Sequence, residues 1–249
     1  MKNQAVRKKR TLIVILALLA IVLTASLLYL ETYYHADEAA LSVFASPPEG
    51  VSIEHIDGTG YVFAPEHPEA GLVFYPGGKV EAEAYAPLMA SCAEEDILCV
   101  LLEVPFRLAV FDMNAAEGVR ELFPEVSDWY LAGHSLGGVM AASYLAKHEE
   151  AFDGIIFLAS YSTVDFRDSD LGFLSVVGSE DQVLGWKKYE EAKANLPATA
   201  TEVTIVGGCH AYFGSYGPQK GDGTPGISPE EQVNQTTDAI TNLIKGGNP

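Results

Sequence analysis

The sequence predicts an α/β fold built on a mostly parallel central sheet with helices on both faces. Three observations carry that expectation. From Gly71 onward, short apolar runs of strand length alternate with helical patterns. One strand-to-helix junction reads Gly133-His134-Ser135-Leu136-Gly137-Gly138, a sharp turn of the G-x-S-x-G type. An acid, Asp181, and a histidine, His210, then stand at the ends of two later strands.

Composition sets the bounds. The chain has 249 residues, 48% of them apolar, enough for one α/β domain of ordinary size plus an extra segment. That apolar content argues against global disorder. The first 30 residues lack Asp and Glu but hold five cations: Lys2, Arg7, Lys8, Lys9 and Arg10. Setting those five aside from the formal net charge of −19 leaves −24 on the remainder. Such a surface repels nucleic acid and anionic lipid headgroups, and it suits a solvated extracellular domain. The three cysteines, Cys92, Cys99 and Cys209, show no metal-binding spacing. Cys92 and Cys99 are open to pairing in an oxidising compartment or to remaining buried thiols. Cys209 reads as a small buried neighbour of His210. No metal or cofactor is expected.

Thr11 to Leu30 runs for 20 residues without a charge, the length of a helix that crosses a bilayer core. A cleaved signal peptide has a shorter apolar region and a small-residue cleavage site, and neither fits here. The expectation is an uncleaved signal-anchor in residues 1–30, with its basic flank in the cytoplasm and the rest outside. Residues 31–50, ending in Ser46-Pro47-Pro48-Glu49-Gly50, read as a juxtamembrane stalk, and residues 51–249 as the folded domain.

Val51 to Ile56 alternates as a half-buried strand, Asp57-Gly58-Thr59-Gly60 turns it, and Tyr61 to Phe63 returns as an antiparallel partner. Gly71 to Tyr75 and Ile97 to Leu102 are continuous apolar strands, with a helix from Glu81 to Ala93 between them. Met113 to Leu122 reads as a helix stopped by Pro124. Strand Trp129 to Leu131 enters the G-x-S-x-G turn, and a helix follows it from Val139 to Lys147. Strands Gly154 to Leu158, Phe173 to Val177 and Glu202 to Val206 complete the sheet, with a helix from Leu184 to Ala194 before the last. Ser228-Pro229-Glu230-Glu231 opens the final helix as a capping box.

In open sheets of this kind, functional groups collect at the carboxyl ends of the strands. Gly133 and Gly137 flank Ser135 because neighbouring chain packs closely on both sides of so sharp a turn. A serine hydroxyl is a weak nucleophile at neutral pH and needs an adjacent base. His210 is the histidine that follows a late strand, whereas His35, His55 and His67 precede the core strands and His148 ends a helix. His134 lies inside the turn, with its side chain expected to point away from Ser135. Asp181 would accept the second ring N–H of His210 and fix its tautomer. A helix N-cap is the competing role for Asp181, and Glu180 is the alternative acid.

The order Ser135, Asp181, His210 and the motif Gly133-His134-Ser135-Leu136-Gly137-Gly138 resemble the α/β-hydrolases, in the branch of dienelactone hydrolases and small carboxylesterases. The resemblance spans residues 51–245. Gly178-Ser179-Glu180-Asp181 is similar to the family's acid turn, and Tyr75-Pro76-Gly77-Gly78 stands where its His-Gly-Gly oxyanion turn lies, with Pro76 replacing the histidine. The resemblance implies a serine hydrolase acting on an ester or thioester of a small molecule. The backbone N–H groups of Leu136 and Gly78 would hold the oxyanion, with Lys79 the alternative to Gly78 as second donor. An amidase or peptidase with the same triad, and a non-catalytic surface-tethered binding module, are the other readings.

The gap from Ala159 to Gly172 is too short for a helical lid. Pocket walls are therefore expected from Phe106 and Arg107 and from Tyr212 and Phe213. Asp222-Gly223 lacks the alternating oxygen ligands of a calcium loop and reads as a turn.

Overall fold

A computed structural model describes residues 2–246. The chain divides into two units, the first ending at Tyr33 and the second beginning at Tyr34. The first is one helix, α1 (Lys2–Leu30). Its stretch Arg10–Leu30 is long and apolar enough to cross a membrane.

The second unit is an eight-stranded sheet of β1 (Val51–Ile56), β2 (Gly60–Pro65), β3 (Ala70–Tyr75), β4 (Ile97–Leu102), β5 (Trp129–His134), β6 (Gly154–Leu158), β7 (Gly172–Gly178) and β8 (Thr201–Ile205). Their spatial order is β1-β2-β4-β3-β5-β6-β7-β8. β2 pairs antiparallel with β1 and β4, and all later pairings are parallel. The helices are α2 (Glu38–Ala45), α3 (Ala86–Glu94), α4 (Leu136–Leu145), α5 (Trp186–Ala192) and α6 (Pro229–Ile244).

β3, β4 and β6 are buried along their whole length, as their unbroken apolar sequences require. α3 and α6 pack on one face over Phe63, Leu72, Phe74, Leu101 and Ile156. α4 packs on the other with Val73, Tyr75, Val100, Leu131 and Phe157. Each such side chain removed from water stabilises the fold by about 1.5–3 kcal/mol. Ser228 caps α6, its Oγ accepting the Glu231 N–H at 3.1 Å, and Pro229 takes the first helical position.

The elements differ from expectation in three places. The helix expected from Glu81 is a 3₁₀ turn, Ala82–Tyr85, followed by α3. The helix expected over Met113–Leu122 is absent; short turns replace it. The Tyr75 hydroxyl, reaching in from β3, donates to Met113 O at 2.9 Å and accepts the Ala116 N–H at 3.2 Å. Gly118, at φ 78°, then turns the chain in a left-handed conformation. The third difference is the stalk. From Tyr34 onward that segment is folded onto the second unit. Asp37 caps α2 by accepting the Ala40 N–H, and Phe44 packs its ring 4.9 Å from that of Tyr61. Tyr34 pairs with the turn after β3: its N–H donates to Lys79 O at 2.8 Å, and its carbonyl accepts the Glu81 N–H at 3.0 Å.

Candidate active site

β5 delivers Ser135 at the crest of the turn into α4. The serine backbone sits at φ 51° and ψ −120°, a conformation that non-glycine residues rarely adopt. The two flanking glycines permit it. A Cβ on Gly137 would lie 2.2 Å from Tyr75 O, and one on Gly133 would lie 2.5 Å from Gly138 N. Main-chain bonds hold the strained residue: the Ser135 N–H donates to Leu158 O at 2.9 Å, and Ser160 Oγ donates to Ser135 O at 2.6 Å. Ser135 itself is half-buried. α4 begins at Leu136, so the positive end of its dipole lies beside the serine.

Asp181 follows β7 and His210 follows β8, which places both at the carboxyl edge of the sheet. His210 Nδ1 and Asp181 Oδ2 are 2.8 Å apart, and each residue is only 2% exposed. Asp181 Oδ1 also accepts the N–H groups of Val183 and Leu184, both at 2.8 Å. Asp181 is not the helix N-cap weighed for it, since Gly185 holds that position before α5; instead Oδ1 closes the intervening turn while Oδ2 faces the imidazole. With Nδ1 committed to the carboxylate, Nε2 is the nitrogen that can take a proton. The His210 ring packs on His134, the residue before Ser135, with centroids 4.6 Å apart. Glu180 is turned elsewhere: its carboxylate accepts Ser179 Oγ–H at 3.0 Å.

Gly78 lies against the start of α4; a Cβ there would come within 3.0 Å of Leu136 Cδ2. The Lys79 N–H donates to Arg107 O at 2.7 Å, so of the two alternatives it is the one already engaged. That bond draws on an unusual loop in which Phe106 and Arg107 both have φ near 56° and Lys79 has φ 63°. Phe106 and Arg107 line a cavity of about 240 Å³ with Pro76, Val80, Glu81 and Glu103. Among the described residues, no three His, Cys, Asp or Glu side chains gather as a metal ion requires.

Residues 71–234 match the model of the alpha/beta hydrolase family, which is more than half of the chain. The chain belongs to that family. Among solved structures, the hydrolase is similar to Est1E from Butyrivibrio proteoclasticus, at 14% identity and a TM-score of 0.55, over 80% of this chain and 100% of that one. It is also similar to a "predicted CIB-like hydrolase" from Thermoplasma acidophilum, at 18% identity and a TM-score of 0.55, over 78% and 99% of the two chains. No curated protein matches the sequence. At these identities the neighbours speak for the fold.

Two of the hydrolase's expected wall residues differ in kind. Phe106 is 50% exposed at the rim of its cavity, whereas Phe213 is buried in the core, its ring 5.7 Å from that of His134. Phe213 is therefore a support beneath the site, not a wall of it. Tyr212 remains half-buried. Cys209 is a buried free thiol, and burial pushes it up to about 12, well away from thiolate chemistry. Cys92 and Cys99 are likewise free and buried.

Three residues of the site escaped sequence reasoning. Gln232 of α6 and Cys209 exchange two hydrogen bonds, which fixes the residue before His210. Asp222 ties the acid loop to the base loop: Oδ2 accepts the Ala211 N–H at 2.9 Å, and Oδ1 accepts those of Gly223 and Gln182 at 2.8 and 3.3 Å. Burial opposes ionisation of Asp222, but these N–H groups and that of His210 outweigh it and hold its carboxyl below the usual range. The third is Tyr85, whose hydroxyl lies 2.8 Å from His134 Nδ1. Only the Gly-Cys-His sequence after β8 hinted that this loop needed fastening.

Proposed function

We propose that this protein is a serine hydrolase that cleaves carboxylic esters or thioesters of small molecules through an acyl-enzyme on Ser135. The observation that carries the reading is the buried Asp181–His210 pair lying against the turn that presents Ser135. As Ser135 Oγ attacks the substrate carbonyl carbon, His210 Nε2 takes its proton, and Asp181 stabilises the imidazolium. The tetrahedral oxyanion accepts hydrogen bonds from the Leu136 and Gly78 N–H groups. Its collapse breaks the ester or thioester bond, and the leaving alcohol or thiol takes the proton from His210. Water then attacks the acyl-enzyme with His210 as base again, which releases the acid and restores Ser135.

A fluorophosphonate probe tests the reading. It should label the wild type at Ser135 and leave Ser135→Ala unlabelled. Absence of wild-type labelling, under conditions that label a control esterase, would overturn it. A panel of p-nitrophenyl esters of graded chain length, beside thioesters and peptides, then sorts the substrate class. The short Ala159–Gly172 segment leaves no lid to open, so the rate should not jump at the substrate's micelle concentration.

We further propose that α1 anchors the hydrolase in the membrane, with the catalytic unit outside the cytoplasm. The basic residues before Thr11 and the uncharged run after them support that orientation. Protease added to intact spheroplasts should degrade the catalytic unit, and full protection would contradict the arrangement.

A further inference from the structure

His134 is a polar side chain only 1% exposed, and the hydrolytic chemistry makes no direct use of it. Its Nδ1 lies 2.8 Å from the hydroxyl of Tyr85, which is fully buried. That hydroxyl also accepts the Gly77 N–H at 2.9 Å. A tyrosine hydroxyl has one proton to give. With the Gly77 N–H donating into the oxygen, that proton is left to point at His134 Nδ1. The imidazole is then the tautomer protonated on Nε2, and Nε2 has no partner in full hydrogen-bond geometry among the described residues.

We infer that Tyr85 and His134 form one buried positioning unit that fixes the oxyanion turn and seats the catalytic base against the nucleophile turn. The inference deepens the serine hydrolase reading and rests on it. Gly77 immediately precedes Gly78, the second oxyanion donor. Its own N–H is held by Tyr85, and on the other side the Lys79 N–H is held by Arg107. The peptides before and after the one that carries the Gly78 N–H are thereby pinned, and that peptide's own carbonyl, Gly77 O, accepts the Val80 N–H at 3.3 Å, which together fix where the Gly78 N–H points. The fit at Gly77 is tight: a Cβ there would lie 2.6 Å from the Tyr85 hydroxyl and 2.7 Å from His134 Nδ1. The pair occupies the space that any side chain at position 77 would need. On its far side, the His134 ring carries the ring of His210 at 4.6 Å and rests on Phe213 at 5.7 Å. The oxyanion turn and the nucleophile turn therefore meet in one hydrogen-bonded contact, and the ring of the base packs against it. Burial first, then the neighbouring His210, hold the His134 imidazole well below the ordinary histidine range; a backbone group of His210 opposes them without prevailing. The His134 imidazole is thus neutral near neutral pH.

The test compares Tyr85→Phe, His134→Asn and His134→Leu in the full chain, with thermal unfolding measured for each. Asparagine keeps a side-chain oxygen near the Nδ1 position, whereas leucine fills the volume without an acceptor. Tyr85→Phe and His134→Leu should each lower kcat by about 10- to 100-fold, less than the about 100- to 1,000-fold for losing an oxyanion donor outright, with KM within about two-fold. His134→Asn should stay within about five-fold of wild type. The double variant Tyr85→Phe with His134→Leu should be no worse than the poorer single one, because the two side chains act as a unit. A packing role alone reverses the order, since leucine is the better apolar filler. Leucine matching or exceeding asparagine, or wild-type kcat in Tyr85→Phe, would overturn the inference. Should a variant fail to fold, ¹⁵N NMR of the wild-type histidines decides: a bare Nδ1 on His134 supports the unit, and a protonated Nδ1 refutes it. Wild-type enzyme that resists the fluorophosphonate would instead sink the hydrolase reading, which keeps the two failures distinct.

Discussion

Gln232 and Cys209 are joined by two hydrogen bonds, from Gln232 Nε2 to Cys209 O at 2.8 Å and from the Cys209 N–H to Gln232 Oε1 at 2.9 Å. A buried side chain thereby completes the backbone of the residue before His210, as a neighbouring strand would. Gln232→Leu keeps the bulk and leaves a buried N–H and a buried carbonyl unpaired. It should cost about 2–6 kcal/mol of stability, at about 1–3 kcal/mol for each of the two orphaned groups. The loosened base should also lower kcat. Urea unfolding and steady-state kinetics check both, and unchanged values in both would refute the role.

Asp222 should show itself in the pH dependence. Its carboxyl is held below the usual range in the folded protein. It therefore contributes stability above the ordinary aspartate pKa of about 3.9, and that contribution is lost as pH falls through the folded value. Asp222→Asn turns one acceptor into a donor that faces N–H groups. It should destabilise by about 1–2 kcal/mol near pH 7, screening at a half-buried site included. The difference from wild type should shrink below about pH 4. Urea midpoints from pH 3 to pH 7 measure it, and a pH-independent difference would count against an ionised partner.

His134 shifts stability in the same direction, but in a higher pH window. Its pKa is lowered on folding, so the unfolded chain binds the proton more readily. Stability should fall as pH drops below about 6.5, by up to about 1.4 kcal/mol per pH unit for one proton, until the folded pKa is reached. Denaturation curves between pH 7 and pH 4.5 should be flatter for His134→Asn than for wild type. Identical slopes would show that His134 is not the group responsible.

The proposed triad makes a ranked prediction. Ser135→Ala and His210→Ala should lose comparable activity, because the members act as a unit. Asp181→Asn should cost up to about 10⁴-fold in kcat by favouring the wrong histidine tautomer. It should also loosen the turn through Val183 and Leu184, whose N–H groups share the carboxylate. Glu180→Gln should cost far less, since that carboxylate faces Ser179. Steady-state rates with circular dichroism as a folding control measure the series. Near-wild-type turnover in folded His210→Ala would refute the mechanism.

What could be read in the sequence follows from locality. The strands of the sheet stood out as short apolar or alternating runs, and Ser135, Asp181 and His210 stood out because strand ends are countable along the chain. The region from Phe106 to Phe123 did not, because its backbone partner is a tyrosine hydroxyl from a strand some 40 residues earlier. Gln232 and Asp222 were invisible for the same reason. Each is an ordinary polar residue within a helix or turn until the loop it holds is folded beside it. His134 was expected to point away from Ser135, but nothing local told that the base would rest on its ring. Phe213 looked like a wall because it follows His210, yet it is buried with its ring against that of His134.

The pairing of Tyr34 with the Lys79–Glu81 turn bears on where this protein can be cut. A soluble version designed by composition would start at the apparent domain edge, near Val51, and discard residues 34–45 as spacer. Such a trim removes the partner of Lys79 O and of the Glu81 N–H, at the turn that also presents Gly78. It uncovers the Tyr61 and Phe63 rings beneath Phe44 as well. A truncation that begins at Tyr34 removes the first unit alone. One that begins at Val51 also takes away the segment that braces the Gly78 turn.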